Sequence, residues 1–374
     1  MLAAILMTAG MRRHFVIQKI LFAIAMAGIV VLGLVLAFGS RATFAAHLST
    51  IGGLDYNKVI STAEANGYTH QGFSLSASLL FVALAAFPLS AAPSSISIGG
   101  EVRRVQRSQL WGMFGALAVA TLIIAAFDPL TRHAFGDRFV GAVAYNSLNG
   151  VAGGSTEGTI GATPYLSVLA GIQAGNIVLA VIISATFAIW IWFWIPNIMA
   201  YGTRSMIAWS FDRVAPDRLG YVCGRFHTPV VAIWTFTAAG VAGVWLIAYR
   251  HLALLTFFEV LVGVWLIAML AAMIFPYRRT GIYRPSPVAR LRLFGIPLMT
   301  VTGFLGALFL AVYLYLLWTD PIAAGPMIKK PLPVEFWITT GTAALGTLWY
   351  LGVKAYRRRQ GIDIRLAFQQ IPIE

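Results

Sequence analysis

The chain has 374 residues, of which 59% are hydrophobic and only 11% are charged, and its mean hydropathy is +0.79. Soluble domains carry about 25% charged residues, so the composition excludes an ordinary soluble protein. The formal net charge of +14 does not indicate a nucleic-acid partner, because the basic residues are spread over the loops between apolar segments.

The apolar residues come in long blocks and not in amphipathic stripes. A helix needs roughly 20 apolar residues to cross a hydrocarbon core of about 30 Å, whereas membrane barrels show short segments of alternating polarity. The sequence therefore predicts an all-α, polytopic membrane protein with a single integral membrane domain over residues 1–374. Eight segments are long enough to span: Phe15–Phe38, Leu75–Ile98, Leu110–Phe127, Leu166–Tyr201, Pro229–Tyr249, Leu252–Phe275, Ile296–Trp318 and Val334–Val353.

The segment before the first span, Met1–Gly10, is apolar and has no basic residue ahead of its apolar run. A secretory signal peptide carries basic residues before its apolar core, so this segment is not one. At 1.5 Å per residue it reaches only about half way across a bilayer. We expect it to be the end of a helix whose beginning is not in this chain.

The second span contains two prolines, Pro88 and Pro93, at mid-membrane depth. Each proline removes a backbone hydrogen bond, and unpaired backbone groups at that depth are tolerated only where they face protein or water. Either the helix is kinked and serine hydroxyls satisfy its carbonyls, or it is broken and its exposed backbone binds a substrate, as in many transporters. We expect a break between about Phe87 and Ser94. The candidate substrate-binding residues are Phe87, Pro88, Leu89, Ser90, Ala91, Ala92, Pro93, Ser94 and Ser95.

The fourth span is predicted to be the longest helix and to continue beyond the membrane towards Asp212. Arg204 and Asp212 are interpreted as a cytoplasmic gate or as a structural ion pair. The only cysteine, Cys223, follows in the same loop, so an internal disulfide is excluded.

The sixth span contains Glu259, the only acid well inside a predicted span. Intramembrane ionisable residues are rare and often functional, which makes Glu259 a candidate for coupling transport to an ion. The alternative is an ordinary surface acid, because Glu259 is close enough to the outer end of its helix to reach the headgroups.

The basic residues predict the orientation of the chain. When the loops are numbered alternately, 20 of the 27 Lys and Arg residues fall on one side and 7 on the other. Cytoplasmic loops carry such an excess, so both termini are expected in the cytoplasm. The cytoplasmic tail, residues 354–374, is basic, and we expect it to contact anionic headgroups. The 7 on the outer side are Arg41, Lys58, Arg132, Arg138, Arg250, Lys329 and Lys330.

The chain offers little of the chemistry that an enzyme needs. The closest acids, Asp212 and Asp217, lie in a predicted cytoplasmic loop, and the six histidines lack the spacing of a zinc motif. The segment Gly153–Gly158 has the glycine spacing of a phosphate loop, but Thr159 stands in place of the lysine, which favours a flexible outer loop. We predict no enzymatic activity, no metal site and no cofactor.

The cytoplasmic segment after the fourth span carries a specific pattern. An arginine is followed by an aspartate eight residues on and by a proline four further on, and a Thr-Pro opens the next span. In this pattern the chain resembles the amino acid–polyamine–organocation permeases, whose sixth helix has a cytoplasmic end similar to Gly99-Gly-Glu101. The residues of the pattern are Arg204, Asp212, Pro216, Thr228 and Pro229.

The resemblance implies a partial leucine-transporter-like fold in which the eight spans match family helices five to twelve. It implies a secondary transporter of amino acids or related organic amines in the cytoplasmic membrane, driven by protons or sodium, with Glu101 near a gate. The family's aromatic-x-Gly-aromatic motif falls on Leu89–Ala92, where the glycine and both aromatics are missing. Some proton-coupled relatives carry a lysine where this chain has Ala25.

The same register leaves family helices one to four unmatched. The alternative to a transporter is therefore a structural half or an inactive fragment of a split transporter, whose N-terminal half is a separate polypeptide. Because the substrate site lies between helices one and six in the family, the resemblance implies that this chain does not transport by itself.

Overall fold

The structure is a computed structural model, and it describes residues 1–70, 72, 75, 78, 92–102, 104–151, 163–250, 254–319, 334–364 and 366. These residues are almost entirely helical. The α-helices are α1 (Leu2–Thr8), α2 (Met11–Phe38), α3 (Arg41–Thr50), α4 (Tyr56–Ala65), α5 (Val105–Phe135), α6 (Asp137–Leu148), α7 (Leu166–Ala174), α8 (Ile177–Phe211), α9 (Val230–Arg250), α10 (Leu254–Arg278), α11 (Thr280–Tyr283), α12 (Leu298–Thr319) and α13 (Val334–Arg359).

Shorter elements connect some of these helices. Two strands, β1 (Arg292–Leu293) and β2 (Ile296–Pro297), pair antiparallel, with Leu293 opposite Ile296. Between them, Phe294 and Gly295 both have positive φ, as a two-residue type I′ hairpin requires. The 3-10 helices are Ala92–Glu101, Asp217–Gly220 and Pro287–Arg290.

Within the described residues, five helices are long and apolar enough to cross a membrane. Their outward faces carry large apolar side chains, such as Leu122 and Trp111, each 69% exposed. Lipid tails solvate such faces without penalty, so the helical membrane class predicted from the sequence is confirmed. The five segments are Met11–Phe38, Arg107–Phe135, Ile177–Phe211, Glu259–Arg278 and Leu298–Trp318.

The chain forms two compact units. The first consists of Met1–Ser74, Ala92–Arg204 and Val222–Ile233, and the second of Leu75–Ala91, Ser205–Tyr221 and Trp234–Glu374. The first unit holds α2, α5 and most of α8, and the second holds α10 and α12. Both units therefore contain helices of membrane length, and the single integral membrane domain stays a prediction.

The core of the first unit is an aromatic cluster at the ends of α2 and α5. The ring of Phe44 lies 4.6 Å from that of Phe135 and 5.1 Å from that of Phe139, and Tyr56 stacks on Phe139 at 4.8 Å. The Tyr56 hydroxyl donates to the carbonyl oxygen of Phe135 at 2.8 Å. Burial raises the pKa of Tyr56, against an opposing effect of the Arg41 charge.

Two predicted loops contain helices that hydropathy did not reveal. One loop lies between the first and second predicted spans, and the other lies between the third and fourth. α3, α4 and α6 are short and of mixed polarity, so they lack the solid apolar blocks that mark a span. The third predicted span ended at Phe127, but α5 continues through Pro129 to Phe135. The glycine-rich segment Gly153–Gly158 lies outside the described residues.

The fourth predicted span, Leu166–Tyr201, is wrong at its start, where two helices replace one, but its continuation towards Asp212 is correct. α7 ends before Gly175, which has a φ of +58°, a conformation that glycine adopts without steric cost. The side chain of Asn176 then accepts a hydrogen bond from Val178 N at 2.8 Å and opens α8. With 35 residues α8 is the longest described helix, and it ends at Phe211, immediately before Asp212.

Four further helices agree to within a few residues with the limits predicted for spans. These helices are α2, α9, α10 and α12, at the first, fifth, sixth and seventh predicted spans. α13 begins at Val334 as predicted but continues past Val353 to Arg359. In the second unit, α10 and α12 bury a shared apolar cluster that consists of Val262, Tyr313, Leu314 and Leu317.

Candidate functional site

The described part of the predicted substrate-binding segment is not α-helical. Ala92, Pro93, Ser94 and Ser95 begin the 3-10 helix Ala92–Glu101, and ten residues is long for a helix of this kind. Residues 87–91, which hold the rest of the predicted break, lie outside the described residues. At the other end Arg104 has a φ of +53°, in the left-handed region, before α5 begins.

One side chain of α5 holds the backbone of this interrupted segment. The amide nitrogen of Gln109 donates to the carbonyl oxygen of Ser95 at 2.7 Å, and the Ser95 hydroxyl donates to the amide oxygen of Gln109 at 2.7 Å. The amide of Gln109 thus bonds to two groups of one residue. This arrangement satisfies the Ser95 carbonyl through a side chain, where an α-helix would satisfy it through the backbone.

We predict that Gln109→Leu destabilises the protein more than Ser95→Ala. The leucine variant loses both hydrogen bonds, whereas the alanine variant keeps the bond from Gln109 to the Ser95 carbonyl. At about 0.5–1.5 kcal/mol net for each bond, the expected losses are roughly 1–3 and 0.5–1.5 kcal/mol. Thermal unfolding in detergent measures both, and equal losses would contradict the role of the Ser95 carbonyl.

Glu259 lies in the interior of the second unit. Its side chain is 0% exposed, and Oε2 accepts a hydrogen bond from the indole nitrogen of Trp318 on α12 at 3.1 Å. The interpretation of Glu259 as a surface acid that reaches the headgroups is therefore wrong. A buried carboxyl held by an indole is a group that can bind or release a proton inside a membrane-length helix pair.

A second buried polar pair, His14 and Gln18, lies on α2 in the first unit and was not recognised from the sequence. His14 is 0% exposed and Gln18 6%, and one helical turn separates them on the face that also buries Ala25. No described residue forms a hydrogen bond to either side chain. The positive charge of Arg204 on α8 acts electrostatically on His14.

The predicted gate residues have different environments. Arg204 donates from Nη1 to the hydroxyl of its neighbour Thr203 at 3.2 Å. Asp212 follows the last residue of α8 and is half-buried, and this burial raises the pKa of its carboxyl. Glu101 ends the 3-10 helix Ala92–Glu101. The pairing of Arg204 with Asp212 stays a prediction.

Comparison of the chain with protein-family models, with curated proteins and with solved structures finds no match. The resemblance to the amino acid–polyamine–organocation permeases therefore depends on the sequence pattern alone.

Proposed function

We propose that this chain is a secondary active transporter, or the larger part of one, for amino acids or related organic amines. The observation that carries the proposal is the departure from α-helix over Ala92–Glu101, next to a span-length helix. Discontinuous helices place backbone amides and carbonyls where they can bind a charged solute at membrane depth. The resemblance in the segment from Arg204 to Pro229 supports the same family of transporters.

In this proposal the substrate's charged ends bind to backbone groups and hydroxyls of the segment from Phe87 to Ser95. The N-terminal end of a half-helix carries partial positive charge and suits a carboxylate, and the C-terminal end suits an ammonium group. Glu259 is the group whose protonation couples to transport, because it is the acid that a membrane-length helix buries. Arg204, Asp212 and Glu101 belong to the cytoplasmic end, as a gate or as structural contacts.

The proposed topology has eight spans with both termini in the cytoplasm, following the distribution of Lys and Arg. Single cysteines test it in a Cys223→Ser background. We expect a membrane-impermeant maleimide to label Ser61→Cys, exposed on α4, from outside intact cells. Val288→Cys, 41% exposed before the β-hairpin, should be labelled only in inverted vesicles. Reversal of either result would contradict the orientation.

The transport proposal is tested by uptake of radiolabelled amino acids and amines into proteoliposomes under proton and sodium gradients. One arm uses the chain as printed, and the other uses the chain extended by any coding sequence in frame upstream of Met1. Saturable uptake in either arm supports a transporter, and its absence from both across the panel contradicts the proposal. In the active arm, Glu259→Gln should remove the pH dependence of uptake, and an unchanged pH profile would exclude Glu259 from coupling.

A further inference from the structure

A cleft of about 630 Å³ lies in the second unit, between the segment after α8 and the end of α13. The proposed transport function uses none of its lining side chains. Sites for small molecules have volumes of about 300–1,000 Å³, so this cleft is large enough for an organic ligand. The side chains that line it include Ser210, Phe211, Arg213, Asp217, Tyr221 and Arg357.

Three hydrogen bonds hold the walls of the cleft in place. The indole nitrogen of Trp349 on α13 donates to the carbonyl oxygen of Val214 at 3.1 Å. The hydroxyl of Ser210 donates to the carbonyl oxygen of Asp217 at 3.2 Å. This bond ties the segment after α8 to the last turn of that helix. Arg357 donates from Nε to the carbonyl oxygen of Arg213 at 3.3 Å. The cleft is thus formed by anchored segments.

The guanidinium of Arg357 makes only long hydrogen bonds to the described residues around it. Besides the bond to Arg213, Nη2 lies 3.4 Å from Asp217 Oδ1 and Nη1 lies 3.4 Å from Gln360 Oε1. Charge-assisted bonds between Arg and carboxylate are normally about 2.7–2.9 Å. The side chain of Arg357 is only 18% exposed, whereas that of Asp217 is 81% exposed. A competing oxyanion can therefore displace the Asp217 carboxylate at little cost.

Arg213 also lines the cleft, and its backbone has a conformation that arginine rarely adopts. Arg213 has a φ of +58°, the left-handed conformation that glycine or asparagine usually takes just after a helix. Its backbone nitrogen bonds to the carbonyl oxygen of Ser210 at 3.0 Å. Arg213 is thus a second basic residue in the lining of the cleft, beside Arg357.

The surrounding charge favours an anion. Residues 205–221 and 349–364 together carry six Lys or Arg residues and three Asp residues. The basic ones besides Arg213 and Arg357 are Arg218, Lys354, Arg358 and Arg359, and the acidic ones are Asp212, Asp217 and Asp363.

We propose that this cleft binds a phosphate ester, with the phosphate between the guanidinium groups of Arg213 and Arg357. The planar guanidinium matches phosphate oxygens in a bidentate manner, which a lysine does not reproduce. The cleft is far larger than a phosphate ion, and the rings of Phe211 and Tyr221 provide apolar surface for the organic part. Both the headgroup of an anionic lipid and a soluble phosphate ester have this chemistry.

The test measures binding to the detergent-solubilised chain by isothermal titration calorimetry. The probes are glycerol 3-phosphate, short-chain phosphatidic acid and short-chain phosphatidylcholine, whose choline shields the phosphate. Arg357→Gln and Arg213→Gln should each weaken binding about tenfold or more, since each removes a bidentate charged contact. Asp217→Asn should strengthen binding several-fold, because it removes the competing carboxylate. Arg284→Gln, an exposed arginine elsewhere in the second unit, is the matched control.

Binding of phosphatidic acid alone identifies a lipid headgroup site, binding of glycerol 3-phosphate alone identifies a soluble ligand, and binding of both shows that the phosphate is sufficient. Each result supports the proposal if Arg213→Gln and Arg357→Gln weaken the binding of that probe. Failure of both phosphate probes to bind, or an equal loss in Arg284→Gln, overturns it. Because Arg213 is exposed, Arg213→Gln keeps the test valid even if Arg357→Gln unfolds.

Discussion

Replacing Gly303 with valine should lower the thermal stability of the protein sharply, because the substitution forces two packed helices apart. A Cβ at Gly303 would lie 2.7 Å from Met273 N and 2.9 Å from Met269 O. Both are backbone atoms of α10, so no side chain can rotate away and the two helices must separate. The hydroxyl of Thr300 bonds to the carbonyl oxygen of Met273 at 3.2 Å and fixes the same approach.

Overpacking of a core costs about 1–3 kcal/mol, and the rigid backbone contact places Gly303→Val at the upper end. The apparent Tm in detergent should fall by about 5 °C or more. Gly346→Val on α13 is the matched control, because a Cβ there would meet nothing within 4 Å, and both substitutions change helix propensity in the same way. A Tm for Gly303→Val equal to that of the control would show that α10 and α12 are not in close contact.

Removing either partner of the bond between Glu259 and Trp318 should destabilise the second unit, and removing both should cost less than the sum of the two single losses. Trp318→Phe leaves a buried carboxyl without the indole donor, which costs about 1.5–3 kcal/mol for a charged group. Glu259→Met leaves the indole nitrogen beside an apolar side chain, at about 1–3 kcal/mol. In the double variant neither group is left facing an unpaired partner of this bond, so the loss of stability is smaller than the sum of the two single losses.

A double-mutant cycle on Tm measures this coupling. Trp337→Phe, at a ring that is 60% exposed on α13, controls for the change from indole to phenyl. If the double variant loses as much stability as the sum of the single variants, the hydrogen bond at 3.1 Å does not couple the two side chains. A stable double variant would also allow uptake to be measured with no ionisable group at position 259.

The stability tests and the transport test separate two roles of Glu259. If the carboxyl only anchors α10 to α12, Glu259→Gln should preserve both the stability and the pH profile of uptake, because the amide oxygen still accepts the hydrogen bond from the indole. If the carboxyl couples transport to a proton, Glu259→Gln should preserve the stability but remove the pH dependence of uptake.

The sequence by itself determined the helical membrane class and most helix limits. Long apolar blocks are a local property, since about 20 consecutive residues must match the thickness of a bilayer. The end of α8 beside Asp212 and the position of Glu259 within a helix followed from the same blocks. The split at Gly175 was missed, although Gln173, Gly175 and Asn176 interrupt the apolar block there, because the hydropathy of the whole segment stays high enough for one span.

Only the tertiary structure decided which side chains meet. Gln109 bonds to Ser95 across 14 residues, Trp318 to Glu259 across 59, and Arg357 to Asp217 across 140. No local periodicity encodes such pairs, because they depend on how helices pack after each has formed. For the same reason the burial of His14 and Gln18 could not be predicted, because hydropathy alone does not show which face of a membrane-length helix packs against protein.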